Sequence, residues 1–405
     1  MTPRLTIARL AIMMFMQYFV MGSTMPILSL YFRDCLGFTG VQIGVVLGMA
    51  AAAALVSPFV GAMLADRRIR AERLLGICHF AAAGLMLSLR LQGQFAGVAS
   101  FYLAYMLVLG PTVPLTNAIT FHHLKDGNHR FGNTRVFGTI GWVAVAWLFG
   151  FFWLRGTGTT FLSDRLPDAL LLSALSSLFL AVYAFTLPRR KFTPKEDLPI
   201  IPVGSLRVLI SPRIMLLASV SLLVDIVDRY YYFGTAPFLH HLGFSDSAIM
   251  PSMSLGQIVE IVAMVFLATL IKKIGIKLTM IIGILAEIWR FVAFAIGSSS
   301  YIVISGIACH GVAYVFFFTT VFITIDNYCD DQTRTGLHQL FSIIVFGVGR
   351  LLSNLLAGSC FDFFVGDTNT VPNYPLFWMI PAALSTISLF AVVFAFKEKS
   401  ETRFN

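Results

Sequence analysis

The sequence predicts an all-α membrane protein of twelve transmembrane helices in two six-helix halves. Three observations carry this: too little charge for a solvated surface, apolar runs recurring at membrane-spanning length, and basic residues confined to alternate connections. Of 405 residues, 57% are hydrophobic and only 12% charged, where a soluble domain averages about 25% charged. Mean hydropathy is +0.81. A large soluble protein with a greasy core would not repeat runs long enough to cross a hydrocarbon layer of about 30 Å.

With about 20 apolar residues per span, helices are expected at 7–32, 40–64, 74–92, 97–121, 136–154 and 167–188, then at 212–240, 247–271, 278–296, 300–326, 338–363 and 374–396. The first run follows Arg4 and Arg9 as a signal peptide would. It continues to Phe32 without a small-residue cleavage site and is read as a helix that stays. RRKFTPKEDLP, charged and with two prolines, separates the sixth run from the seventh. The expected organisation is therefore an N-terminal six-helix bundle at 1–188, a cytoplasmic linker at 189–211 and a C-terminal six-helix bundle at 212–405.

Basic residues orient this map. With both termini inside, the inner connections collect Arg67, Arg68, Arg70 and Arg73, then Arg189, Arg190 and Lys191, then Lys272, Lys273 and Lys277; the outer ones hold only Arg33, Arg90, Arg155 and Arg165. One miscounted span would reverse every later loop, so the asymmetry supports twelve spans in an inner (cytoplasmic) cell membrane with cytoplasmic termini. The net charge of +9 thus reflects topology, and no nucleic-acid partner is expected. The lipid bilayer is the expected surrounding, and nothing in the pattern asks for more than a monomer. Cys35, Cys78, Cys309, Cys329 and Cys360 show no CxxC or metal spacing, so no metal or cofactor is expected. GxxxxGK[ST], HExxH and GxSxG strings are absent, which argues against an ATP-driven pump and against a membrane enzyme.

The halves echo each other, GAMLADRRIRAER at 61–73 following the second helix and TLIKKIGIKL at 269–278 following the eighth. This fits two related units or two ordinary positive loops. With twelve spans and a central basic loop, the first string resembles the gating-loop signature of the major facilitator superfamily at Gly61, Asp66, Arg67 and Arg70, lacking the second glycine. ICHF at 77–80, PTVPLTNAIT at 111–120, RVFGTIGW at 135–142, GQIVE at 256–260 and IWRFVAFAIG at 288–297 are similar, in order and placement, to segments of the bacterial nucleoside:proton symporters. That resemblance implies proton-coupled uptake by alternating access, with Arg135, Thr139, Gln257 and Glu260 lining a nucleoside site and Trp142 standing where the family has an aromatic. Two departures stand out. Val315 occupies the tenth-span stretch where the family carries an acid, and Asp228 and Tyr231 stand in the seventh span where the family uses amides. A porter for sugars, another polyhydroxylated solute or a cation remains the alternative.

The residues read by themselves point to the same places. A charge at the centre of a membrane helix costs about 2.5 to 3.5 kcal/mol, so Asp225, Asp228 and Arg229 in VDIVDRYYYFG should face the bundle interior. Asp225 and Arg229, four apart, are expected to pair. Asp228 is then left as a buried carboxyl able to exchange a proton, or as a partner for another helix. Gln257 and Glu260 share a face, Glu260 about 20 Å along its helix, and suit either a ribose and base edge or an interhelical clamp, while the Glu260 carboxylate, like Asp228, is also a candidate to take up the transported proton. Arg135, Thr139 and Trp142 stack a cation, a hydroxyl and a ring, with Arg135 also readable as an inner anchor. Glu287 and Arg290, three apart, are expected to form a local pair. Arg350 has no acid one turn away and needs another span, and His79, His310 and Tyr231 are buried candidates for structure, relay or stacking.

Overall fold

The computed structural model describes residues 3–51, 70–124, 127–154, 165–188, 203–330, 333–366 and 371–397. Among them every regular element is a helix: α1 Leu5–Cys35, α2 Gly40–Ala51, α3 Ala71–Arg90, α4 Phe95–His123, α5 Phe131–Trp153, α6 Asp168–Ala184, a short α7 Val203–Leu209, α8 Pro212–His241, α9 Asp246–Ile296, α10 Ser300–Asp326, α11 Gly336–Phe364 and α12 Tyr374–Ala395. Eight of these are long and apolar enough to cross a membrane. Helices suit a bilayer because each pairs its own backbone groups internally.

The spans expected at 247–271 and 278–296 form one 51-residue element, α9, interrupted at Gly275 with φ +85° and ψ 171°. A straight helix of that length would run about 75 Å at 1.5 Å per residue, more than twice the hydrocarbon thickness. Gly275, in a conformation open only to glycine, turns the chain inside the expected loop and makes two membrane-length segments. The second half of the span expected at 40–64 lies outside the described residues, as do Gly61, Asp66 and Arg67 of the gating-loop string; Arg70 is exposed just before α3.

The chain forms two compact units, Met1–Asp197 with Leu239–Ser254, and Leu198–Phe238 with Leu255–Asn405. In the first, α1 packs along α5 and α6, and α3 packs on α4 and α6. Leu10, Met13, Leu75, Ile119 and Leu180 are among its buried core. The approach of α1 to α5 depends on small residues: a Cβ on Gly141 would overlap the Phe15 carbonyl, and one on Gly22 would meet the Trp142 ring at 3.0 Å. Such glycines bring backbones together where lipid supplies no hydrophobic drive between helices.

In the second unit Leu217, Val224, Ile284, Val315, Phe317 and Phe341 belong to one buried core. A second aromatic cluster joins Tyr230, Phe238, Phe294 and Phe377 around Trp378, with ring centroids 4.9 to 6.0 Å from the tryptophan. Hydroxyls in these spans bond to carbonyls one turn back, Thr235 to Tyr231 at 2.6 Å and Thr324 to Thr320 at 2.7 Å, which satisfies them without water.

Candidate functional site

Charged and polar residues converge in the second unit from α8, both segments of α9, α10 and α11. VDIVDRYYYFG forms two turns of α8 that bury Asp225 and Asp228 at 1% and 3% exposure. The expected Asp225–Arg229 pair does not form. Arg229 closes instead on its neighbour Asp228, and Asp225 faces Arg350 of α11, Nε to Oδ1 3.9 Å. Spacing along one helix missed this because Asp225 has a partner on another helix, placed beside it where Gly349 carries no side chain.

Asp228 is likewise not left alone. Its Oδ1 lies 3.2 Å from His310 Nδ1 and 3.5 Å from Arg290 Nη1, while Oδ2 meets Arg229. Of its two readings, a carboxyl able to exchange a proton or a partner for another helix, the second is met here: a charge in a low-dielectric interior gathers partners. Arg290 is fully buried, bonds Glu287 one turn away on α9 and sits 4.6 Å from the Tyr231 ring centroid. Three carboxylates, Asp225, Asp228 and Glu287, thus face three guanidinium groups, Arg229, Arg290 and Arg350, and the fixed charges cancel.

A neutral chain leads out of this lattice. His310 Nε2 lies 3.3 Å from the Tyr232 hydroxyl, which accepts from Gln257 Nε2 at 3.1 Å. The other amide atom, Gln257 Oε1, is buried without a partner among the described residues. Glu260, one turn further along α9, is partly exposed and within electrostatic reach of the Tyr232 and Tyr314 phenols. The helices meet closely here, because a Cβ on Gly311 of α10 would overlap the Glu260 amide and the Gly256 carbonyl. Tyr231, expected to bind substrate, is fully buried and stacks on His310 with centroids 5.2 Å apart; Tyr232 is the ring joined to Gln257. A run of three tyrosines could not say which faces which neighbour. Val315 lies in the apolar core.

In the first unit Arg135, Thr139 and Trp142 are half-buried along α5, with the Arg135 guanidinium 3.9 Å from the Tyr18 ring centroid, a contact worth about 1 kcal/mol or more when dry. Beneath them His79 is bonded to Gln17 Oε1 at 2.9 Å, and Gln17 donates to Thr112 at 2.8 Å. Thr112 gives its proton to the Leu109 carbonyl, so the Gln17 oxygen must accept, and His79 carries a hydrogen on Nε2.

Membrane helices enclosing a charge-balanced polar lattice, with a neutral amide, phenols and a carboxylate at its edge, define a transporter of polar solutes. The family profile described as Nucleoside H+ symporter matches residues 5–401, and the chain belongs to that family. Among its relatives are the putative nucleoside transporter YegT of Escherichia coli K12, 32% identical over 87% of this chain and 84% of that one, and the xanthosine permease of the same organism, 26% identical over 96% and 95%. The crystal structure of the nucleoside transporter NupG superposes with a TM-score of 0.85 over 97% of this chain and 100% of that one, at 22% identity. The fold is that of the major facilitator superfamily.

Proposed function

We propose that this chain, a proton-coupled nucleoside transporter by family, reads its substrate with Gln257, Glu260 and Tyr232 and takes up the proton in the ionic lattice joined to them. The observation that carries this is the unbroken path from Gln257 through Tyr232 to His310 and Asp228. It supports the reading by joining the Gln257 amide and a buried charge cluster in one hydrogen-bond network. The unpartnered Gln257 oxygen suits a ribose hydroxyl or a base N–H, since a buried acceptor left unmade costs about 1 to 3 kcal/mol. Glu260 accepts hydroxyl protons, and the phenol rings offer faces for a base. In the first unit, α5 separately offers a donor, a hydroxyl and a ring in Arg135, Thr139 and Trp142.

Charge balance also bears on the alternative substrates. With Asp228 committed to Arg229, Arg290 and His310, no carboxylate of the lattice is left over for a cation. The Glu260 carboxylate can accept from the hydroxyls of a hydroxyl-rich solute. Free hexoses are expected not to compete with uridine. The relatives with nucleoside and xanthosine names point to the same class. We place the protein in the inner membrane with both termini in the cytoplasm on the distribution of basic loops.

The test is uptake of radiolabelled uridine and adenosine into proteoliposomes. Gln257→Ala is expected to weaken uridine affinity roughly tenfold, the cost of about 1.4 kcal/mol for a lost buried hydrogen bond. Glu260→Gln is expected to lower affinity or uptake further. Unchanged affinity in both variants would remove this face of α9 from the binding site.

A further inference from the structure

We infer that His310 Nδ1 is the atom that takes up the coupled proton, an assignment that rests on the reading of the site given above. The geometry makes two incompatible demands on this one nitrogen. Arg290 Nη1 lies 2.6 Å away and can only donate to it. Asp228 Oδ1 lies 3.2 Å away and, ionised, can only accept from it. With Nδ1 unprotonated, it accepts from Arg290 and the ring hydrogen sits on Nε2, facing Tyr232 at 3.3 Å. With a proton added to Nδ1, the bond from Arg290 is lost and the new N–H donates to Asp228. Arg290 keeps Glu287, so neither state strands a buried charge.

The surroundings are set for that step. His310 is 3% exposed. From α8 it faces Asp228, the stacked Tyr231 and Tyr232, with Arg229 behind Asp228. From α9 it faces Arg290 with its partner Glu287, and its ring packs against Gly256, where a Cβ would meet it at 2.9 Å. On its own helix Tyr314 is the next ring, 6.4 Å between centroids. The three acids and three arginines already cancel, so one proton on His310 adds a single positive charge.

The same step reaches the substrate. An imidazolium donates from Nε2 to the Tyr232 oxygen more strongly than a neutral ring does, and Tyr232 fixes the Gln257 amide whose oxygen is left for the ligand. Protonation therefore tightens nucleoside binding, and bound nucleoside holds the proton, as linkage requires. A gain of about 1 kcal/mol in that bond corresponds to roughly fivefold in affinity.

The test uses the full chain in proteoliposomes with uridine as probe. His310→Gln, which keeps a neutral amide at the site, is expected to lose accumulation driven by an inward proton gradient and to show uridine affinity flat from pH 5.5 to 8, where the wild type binds more tightly toward acid. Gradient-driven accumulation at the wild-type level in His310→Gln overturns the assignment. Should that variant lose counterflow as well, infrared difference spectra of the wild type on uridine addition decide. An imidazolium signal is expected, and a protonated-carboxyl band in its place overturns the proposal. A wild type that exchanges neither uridine nor adenosine would instead contradict the nucleoside reading on which the assignment rests.

Discussion

Asp225 and Arg350 show how a charge survives inside the bilayer. Asp225 is 1% exposed, its second carboxylate oxygen has no partner among the described residues, and Arg350 alone faces the first across the helix gap. Removing one member of such a pair leaves an uncompensated charge. Arg350→Leu is therefore expected to destabilise the protein by about 3 kcal/mol, and Asp225→Asn added to it to recover most of that loss, as read by thermal unfolding in detergent. A double variant no more stable than the single one would mean that the two do not interact. Gly311 makes a second residue-scale case. Gly311→Leu would force α10 away from the Glu260 turn, with an expected loss of about 1 to 3 kcal/mol and of uridine affinity together; stability lost without affinity would separate packing from binding there.

At the scale of elements, α9 owes its shape to one residue. Gly275→Ala places a side chain at φ +85°, a strain of about 1 to 3 kcal/mol, and is expected to lower the unfolding temperature; an unchanged temperature would show that the turn accommodates a Cβ. Here the sequence was legible: the apolar runs and the basic cluster at 272–277 marked two spans with a turn between them before any coordinates. The elements α1, α3 to α6 and α8 to α12 fall where hydropathy and loop charge put them. The pairing inside the site was less legible. Spacing along a helix found Glu287 with Arg290 but assigned Arg229 to Asp225, because periodicity ranks neighbours on one helix and says nothing of what an adjacent helix brings. The partners of His310 and Tyr232 were hidden for the same reason. A lone histidine and three consecutive tyrosines carry no spacing signal, and their roles come from packing at Gly256 and Gly311.

Across the whole molecule, family membership over residues 5–401 sets the activity and the superposition on a solved nucleoside transporter the fold, while loop charge supports the proposed direction. A reporter that folds only in the cytoplasm, fused to the C-terminus, is expected to be active; an inactive fusion with a stably inserted protein would reverse the proposed orientation. The measurement that reaches the central claim most directly is accumulation of uridine and adenosine in proteoliposomes with an inward proton gradient, against the same vesicles with the gradient collapsed by a protonophore. Accumulation above the external concentration with the gradient, falling to equilibration without it, is the expected result. Uptake that only equilibrates under both conditions would contradict proton coupling.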